Sequence, residues 1–317
     1  MSFVVPALAS PPVRRATPHP NPGAPYLPVL LRRGATPPEG LRYAATSYWE
    51  ERFGDQTRRD ALTQTLTVHA QPADAEQWTV TLDATPPTLP KADVSALEQV
   101  VVLLAGLYRR LVLRLAPDGR PVALLNHAEI GASWQLLKQE LADRSGSGDD
   151  DVTRLLLAQL EAKLQHPATV LASLRYNYMY DALLANCYEQ RFESGWRYEQ
   201  PRCFARFFPD LHLWVQERLT VAAPPAPTQV ALHCDGSLDA TRTDRVALAQ
   251  SIDAAWHSAA IARPETAPAV VQAAYDMTST YGLGPDGNWL TSLELSVRCR
   301  AGLDYHKEYF LSLTHVS

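Results

Sequence analysis

The residues Asn126, His127 and Glu129 place an imidazole close to a carboxylate, a combination that general acid–base catalysis uses. The surrounding pattern gives these residues another explanation. Ile130, Trp134, Leu137 and Leu141 follow at spacings of four, three and four, which predicts an amphipathic helix beginning at His127. Asn126 is a favoured N-cap residue, and Glu129 stands where it can reach back to the backbone N–H of the cap. We therefore interpret the group as a helix start, with a catalytic role for His127 or Glu129 as the less favoured alternative.

Three other short motifs could do chemistry. "GLGPDG" at 282–287 matches the dinucleotide pattern G-x-G-x-x-G, but the segment after it alternates like a strand, so no helix N-terminus would face a pyrophosphate. We predict a hairpin loop there. His233 and Cys234 are adjacent, and neighbours on a strand point to opposite faces, so they cannot form a dyad. Asp149–Asp151 precede a leucine-rich run, which is typical of a helix start and not of a metal site.

Aromatic residues concentrate between 176 and 214, which holds 11 of the chain's 27 aromatic side chains, with several arginines among them. Aromatic and arginine side chains are enriched at protein-binding hot spots. The alternative is that these rings fill the core. The candidate interaction residues are Trp196, Tyr198, Arg202, Phe204, Phe207, Phe208 and Trp214. Interspersed glutamates and an acidic chain argue against nucleic acid, which needs a concentrated basic surface.

Composition narrows the class of protein. The net charge is −5, from 29 basic and 34 acidic residues, which fits a soluble globular chain. The four cysteines include no C-x-x-C pair, so a zinc or thioredoxin-like motif is not expected. The longest apolar run, at 100–108, is about half the length of a membrane span, and the N-terminus lacks the charged start of a signal peptide. We predict a cytoplasmic protein with reduced thiols and no membrane span.

The elements that must position these residues fall into two regions. Residues 1–40 hold ten of the 25 prolines and predict an extended arm, either a disordered tail or a strap that becomes ordered on a partner. Residues 41–317 predict one domain, with alternating strands at 42–86 and helices within about 93–188, among them one at 93–110 and one at about 168–188. Strands follow within about 210–317 around one helix at 243–258. The hairpin at 111–126 turns at Asp118-Gly119.

This order predicts an α+β fold, in which a curved, largely antiparallel sheet from N- and C-terminal strands packs on a central group of helices. The sequence resembles no family at the level of specific motifs. We expect a non-catalytic interaction protein, a subunit or adaptor of a larger assembly that binds a protein partner or another copy of itself, without a cofactor. Two alternatives stay open. One is a carrier of an apolar small molecule in a pocket between sheet and helices, and the other is a hydrolase whose site is assembled from separate strands.

Overall fold

A twelve-stranded antiparallel sheet dominates the structure. The computed structural model describes residues 15–18, 28–74, 76–89, 102–145, 151–174, 177–184, 187–193, 196–209, 211–222, 228–261, 270–284 and 287–316. The strands are β1 (Arg15–Pro18), β2 (Pro28–Leu30), β3 (Leu41–Phe53), β4 (Gln56–Pro72), β5 (Trp78–Ala84), β6 (Arg110–Leu115), β7 (Pro121–Leu124), β8 (Arg191–Glu193), β9 (Trp196–Phe208), β10 (Leu211–Ala222), β11 (Gln229–Leu238), β12 (Val271–Gly284), β13 (Gly287–Ala301) and β14 (Tyr305–Val316). Their order in the large sheet is β1-β9-β10-β11-β12-β13-β14-β3-β4-β5-β6-β7, and β2 pairs with β8 separately.

The helices are short and lie against this sheet. They are α1 (His127–Ser145), α2 (Asp151–Leu164), α3 (Pro167–Leu174), α4 (Tyr178–Leu183) and α5 (Arg245–Ala259), with a 3₁₀ helix at Gly106–Tyr108. More than half of the described structure is strand and about a quarter is helix. The prediction of an α+β fold built on a central group of helices is therefore wrong.

The sheet is more extensive than predicted, because β6 and β7 from the region expected to be helical continue it beyond β5, and β9 adds another strand next to β10. The joining of N- and C-terminal strands in one sheet agrees with the prediction. β14 pairs directly with β3 from Tyr305–Phe53 to Val316–Arg42, so the two ends of the chain share one sheet without helices between them. Inward side chains alternate with outward ones along each strand, and the inward ones pack mainly on each other. The helices then cover parts of this inner face. In α5, for example, Trp256 packs edge-on against Phe53 at 5.1 Å.

The predicted hairpin at 111–126 and the helix start at His127 are confirmed, but not the capping mechanism. β6 and β7 pair around a turn in which Gly119 has a φ of 91°, and Asp118 Oδ1 accepts from the Arg120 N–H. Asn126 Oδ1 accepts from the Val112 N–H at 2.9 Å, so its oxygen ties the helix start to β6. The Asn126 side-chain amide, not the backbone N–H, donates to Glu129.

Two predicted helices differ from the structure. Most of the helix expected at 93–110 lies outside the described residues, and within them the chain is helical at 102–108 before β6 begins at Arg110. The helix expected at 168–188 is two shorter ones, α3 and α4. Asn177 divides them because its side chain accepts from the N–H groups of Met179 and Tyr180 and starts a new helix.

Part of the proline-rich arm lies against the domain. β2 pairs with β8, and Arg32 exchanges two hydrogen bonds of 2.7 Å with Asn288 at the start of β13. The Arg33 guanidinium lies over the Tyr188 ring at 3.9 Å. Residues 1–14 and 19–27 of the predicted arm lie outside the described residues.

Candidate functional site

Three rows of side chains cross neighbouring strands on the inner face of the sheet and form the floor of a groove. In the middle row, Lys307 of β14 lies opposite Glu51 of β3, which in turn lies opposite Arg58 of β4. One flanking row contains Tyr305 and Phe53. Residues directly opposite on one face are in side-chain contact distance, so lysine, glutamate and arginine form a ladder of alternating charge.

Helix α5 and the end of β9 form the walls of the groove. Its volume is about 490 Å³, and its lining from α5 is made of small residues at the positions Ser251, Ala254, Ala255, Ser258 and Ala259. Phe53, Phe208, Pro209 and Ile261 supply larger apolar surface. A smaller depression of about 240 Å³ continues past Trp49 and Asp60 and shares the charged ladder with the groove. The space stays open because α5 presents small side chains where larger ones would fill it.

α5 forms at this place for local reasons. Asp244 accepts hydrogen bonds from the N–H groups of Val246 and Ala247 and so caps the helix, and its buried stripe of Leu248, Ile252 and Trp256 recurs every four residues. The small residues of the groove lie on the neighbouring face. The predicted helix at 243–258 is confirmed.

The charged ladder is partly shielded from solvent. The side chains of Lys307 and Glu51 are 16% and 24% exposed, and the distance from Lys307 Nζ to Glu51 Oε1 is 3.4 Å. The Tyr305 hydroxyl donates to the same oxygen at 2.7 Å. The Lys307 ammonium also lies over the rings of Phe208, at 5.2 Å, and Trp49, at 5.6 Å. Burial, with a smaller contribution from Glu51, raises the pKa of Tyr305 above its usual value.

Five of the seven predicted interaction residues lie inside the protein. Tyr198, Phe204, Phe207 and Phe208 are buried, and their rings contact other buried rings, as Phe204 contacts Tyr275 at 5.0 Å. Arg202 is held by two carboxylates, with Nη2 at 2.6 Å from Asp181 and Nη1 at 3.1 Å from Glu217. Burial alone would lower the pKa of Arg202, but Tyr275 and the two carboxylates outweigh that effect and raise it.

The other two residues occupy different positions. Trp214 is partly exposed on β10, opposite Cys203, and its backbone N–H donates to Thr243. Trp196 is placed by its backbone opposite Pro18, where β9 pairs with β1. Of the seven, only Phe208 lines the groove. That these seven residues bind a partner stays a prediction. In this fold, the buried rings among them form part of the hydrophobic core.

A hydrolase site assembled from separate strands would need a histidine beside a cysteine, serine or carboxylate in a cleft. His233 lies beside Thr278, with 3.2 Å between Nδ1 and Oγ1, while Cys234 is buried on the opposite face, as expected. Burial lowers the pKa of His306. Within the described part of the chain, none of the histidines lines the groove. No three His, Cys, Asp or Glu side chains in that part lie close enough together to hold a metal ion.

Two further sequence predictions can be checked here. β12 and β13 form a hairpin whose last described pair is Gly284 with Gly287, so the hairpin expected at "GLGPDG" is confirmed. Among the described residues, no helix combines the length and apolar character that a bilayer crossing requires.

Comparison with known proteins gives a distant likeness in structure. No family model matches the sequence, and no curated protein matches it. A solved structure described as "lipid-protein interactions in lipovitellin" is similar with a TM-score of 0.44 and 8% identity, over 87% of this chain and 25% of that chain. This chain thus spans about a quarter of the length of that protein. A likeness at this level carries no argument about function.

The groove residues Lys307 and Glu51 were not identified from the sequence. A signal for them was present, because Tyr305, Lys307 and Tyr309 occupy alternate positions of one strand, which puts a lysine in an inward row. Such a charge is rarely left buried without a partner. The partner, Glu51, lies 256 residues away in the chain, so only the pairing of β14 with β3 brings the two together.

Proposed function

We propose that this protein binds an apolar small molecule in the groove between α5 and the sheet. The groove itself carries the proposal, since its volume of about 490 Å³ falls in the range of roughly 300–1,000 Å³ that is usual for small-molecule sites. Seven of the fourteen lining residues are apolar, namely Phe53, Phe208, Pro209, Ala254, Ala255, Ala259 and Ile261, and they supply the surface against which an apolar molecule would pack. None of the four cysteines, Cys187, Cys203, Cys234 and Cys299, is in a disulfide, which supports a reducing compartment, and we propose the cytoplasm.

The test is to fill the groove from α5. Ser258 lines the groove and is exposed, so Ser258→Phe adds a ring to the cavity without disturbing the buried stripe of the helix. Ala249 is exposed as well and does not line the groove. It precedes Ser258 by nine residues, which places it on the opposite side of the helix. Ala249→Phe is therefore the matched control.

Binding is measured with N-phenyl-1-naphthylamine, a neutral apolar dye whose fluorescence rises on burial. We expect saturable binding to the wild-type protein, a dissociation constant raised at least about tenfold in Ser258→Phe, and little change in Ala249→Phe. Tenfold corresponds to about 1.4 kcal/mol, or the loss of roughly 55 Å² of apolar contact. Absence of saturable binding to the wild type, or equal binding by the two variants, would refute the proposal.

A further inference from the structure

The charges at the groove are not balanced. Arg58 and Lys307 supply two positive charges to the lining and Glu51 supplies one negative charge. Glu51 Oε1 already accepts from the Tyr305 hydroxyl at 2.7 Å and from Lys307 at 3.4 Å. Among the described residues, that long contact is the single hydrogen bond of the Lys307 ammonium, which has three N–H donors. The cation therefore has donors to spare, whereas the carboxylate oxygen is occupied.

Arg58 adds a second cation that is loosely held. Its Nε lies 3.9 Å from Asp60, and its side chain is 76% exposed. Because Arg58 lies directly opposite Glu51 and next to the mouth of the groove, its guanidinium can swing toward a ligand without breaking a buried contact. Lys307, in contrast, is held in place by the rings of Trp49 and Phe208. A shielded ammonium and a solvent-exposed guanidinium thus line the same groove.

We propose that the ligand is a single-chain amphiphile with one negative charge, such as a long-chain carboxylate. This inference rests on the proposed function and names the class of ligand. The head group accepts hydrogen bonds from Lys307 and Arg58, and the alkyl chain lies against Phe53, Phe208 and the small residues of α5. One negative charge complements the net charge of the lining, whereas a second would be repelled by Glu51.

The experiment compares three competitors of equal chain length against the neutral dye, each below its micelle concentration. They are dodecanoate, dodecanol and dodecyltrimethylammonium. We expect dodecanoate to displace the dye at a concentration about ten- to hundredfold lower than dodecanol, which is the usual effect of hydrogen bonds to a charged group. We expect the trimethylammonium compound to compete less well than dodecanol.

Variants then locate the head group. Lys307→Met keeps the length of the side chain and removes its charge, so the preference for dodecanoate over dodecanol should fall to about threefold or less, while Lys307→Arg should retain it. Arg58→Gln changes an exposed side chain and should lower the preference about two- to fivefold with no change in folding. This second variant keeps the test valid even if Lys307→Met does not fold.

The outcomes separate the two proposals. If dye binding is saturable and blocked by Ser258→Phe, but the carboxylate and the alcohol compete equally, the groove binds apolar molecules and the anionic head group is wrong. A preference for the cationic competitor, or a carboxylate preference unaffected by both Lys307→Met and Arg58→Gln, also overturns the inference. If the dye does not bind at all, the proposed function itself has failed.

Discussion

The buried ion pair between Arg202 and Glu217 makes a strong prediction about stability. Glu217 is fully buried, and its carboxylate accepts from Arg202 Nη1 at 3.1 Å and from Gln200 Nε2 at 2.6 Å. Replacing Glu217 with leucine leaves a guanidinium inside the sheet with one remaining carboxylate, that of Asp181. Removing one partner of a buried ion pair costs about 3–5 kcal/mol, because the other charge stays desolvated. We expect Glu217→Leu and Arg202→Met each to lower the free energy of unfolding by about this amount.

The double variant tests the cause. Replacing both partners with apolar side chains of similar volume is often neutral or stabilising, since no unpaired charge remains. Asp181 would lose Arg202 as well, but its side chain is 41% exposed and can be hydrated. We therefore expect Arg202→Met with Glu217→Leu to cost at least about 3 kcal/mol less than the sum of the two single variants, which gives a large coupling energy.

The next residue on the same strand supplies the control. Arg218 points to the opposite face of β10 and pairs with Asp235, and these side chains are 44% and 30% exposed. A pair of this exposure contributes about 0–1 kcal/mol. Urea unfolding of the two single variants Arg218→Met and Glu217→Leu compares the loss of stability on removing a half-exposed charge and a buried charge at adjacent positions. Equal losses in these two variants, or single losses that simply add in the double variant, would refute the argument from burial.

Three other predictions concern burial and backbone fit. Burial raises the pKa of Cys203 to about 11 and of Cys299 to about 12, so at pH 8 Ellman's reagent should modify them at least about a hundredfold more slowly than an exposed thiol, and at normal rates in denaturant. Gly287 has a φ of 137° and a Cβ there would overlap the backbone of Gly34, so Gly287→Ala should lower the free energy of unfolding by about 2 kcal/mol or more in urea titrations, unlike an alanine at an exposed position. Burial lowers the pKa of Lys163 to about 8, so at this residue the unfolded chain binds more protons than the folded chain between pH 8 and 10. The buried thiols have the opposite effect, but they are the same in Lys163→Gln. The free energy of unfolding of the wild type relative to Lys163→Gln should therefore rise with pH across that interval, and a difference that does not change with pH would contradict this assignment.

The C-terminal strands and hairpins could be predicted because their signals are local. β12, β13 and β14 show regular alternation, and glycine-containing turns separate them. The helix α5 was also evident, since a capping aspartate precedes an apolar stripe. Each of these elements is specified within about fifteen residues. The relation of helices to sheet was not predictable in this way, because it depends on contacts between residues far apart in the chain, such as Phe53 with Trp256.

The residue composition of β9 obscures its strand pattern in the sequence. Its segment 196–208 was interpreted as an aromatic region and not as a strand. Pro201, which cannot donate to a ladder, and the charged Arg202 both weaken the strand pattern there. Within the described residues β1 pairs with 196–199, and Pro201 lies opposite Gln216 of β10. Arg202 occupies an inward position because Asp181 and Glu217 pair with it there. The alternation holds from Tyr198 to Phe204, with Arg202 as a charged inward residue, and it breaks at a bulge around Arg206, where φ is 64° and the adjacent Phe207 and Phe208 are both buried.

The same inner face therefore holds two cation–carboxylate pairs with opposite consequences. Around Arg202, the rings of Phe204 and Tyr275 lie at 5.4 and 5.0 Å from the guanidinium, and Glu217 is fully buried. Around Lys307, comparable rings hold the ammonium, but α5 offers serine and alanine where a larger side chain would close the space. A buried pair with every neighbour in contact stabilises one structure, whereas a pair at an unfilled space can exchange contacts with a ligand.

If this distinction is correct, closing the space beside Lys307 should make its ion pair with Glu51 contribute more to stability. In the Ser258→Phe background, Lys307→Met should lower the free energy of unfolding by at least about 1 kcal/mol more than it does in the wild-type background. The reason is that the Glu51 carboxylate under a closed groove can no longer be hydrated when its partner is removed.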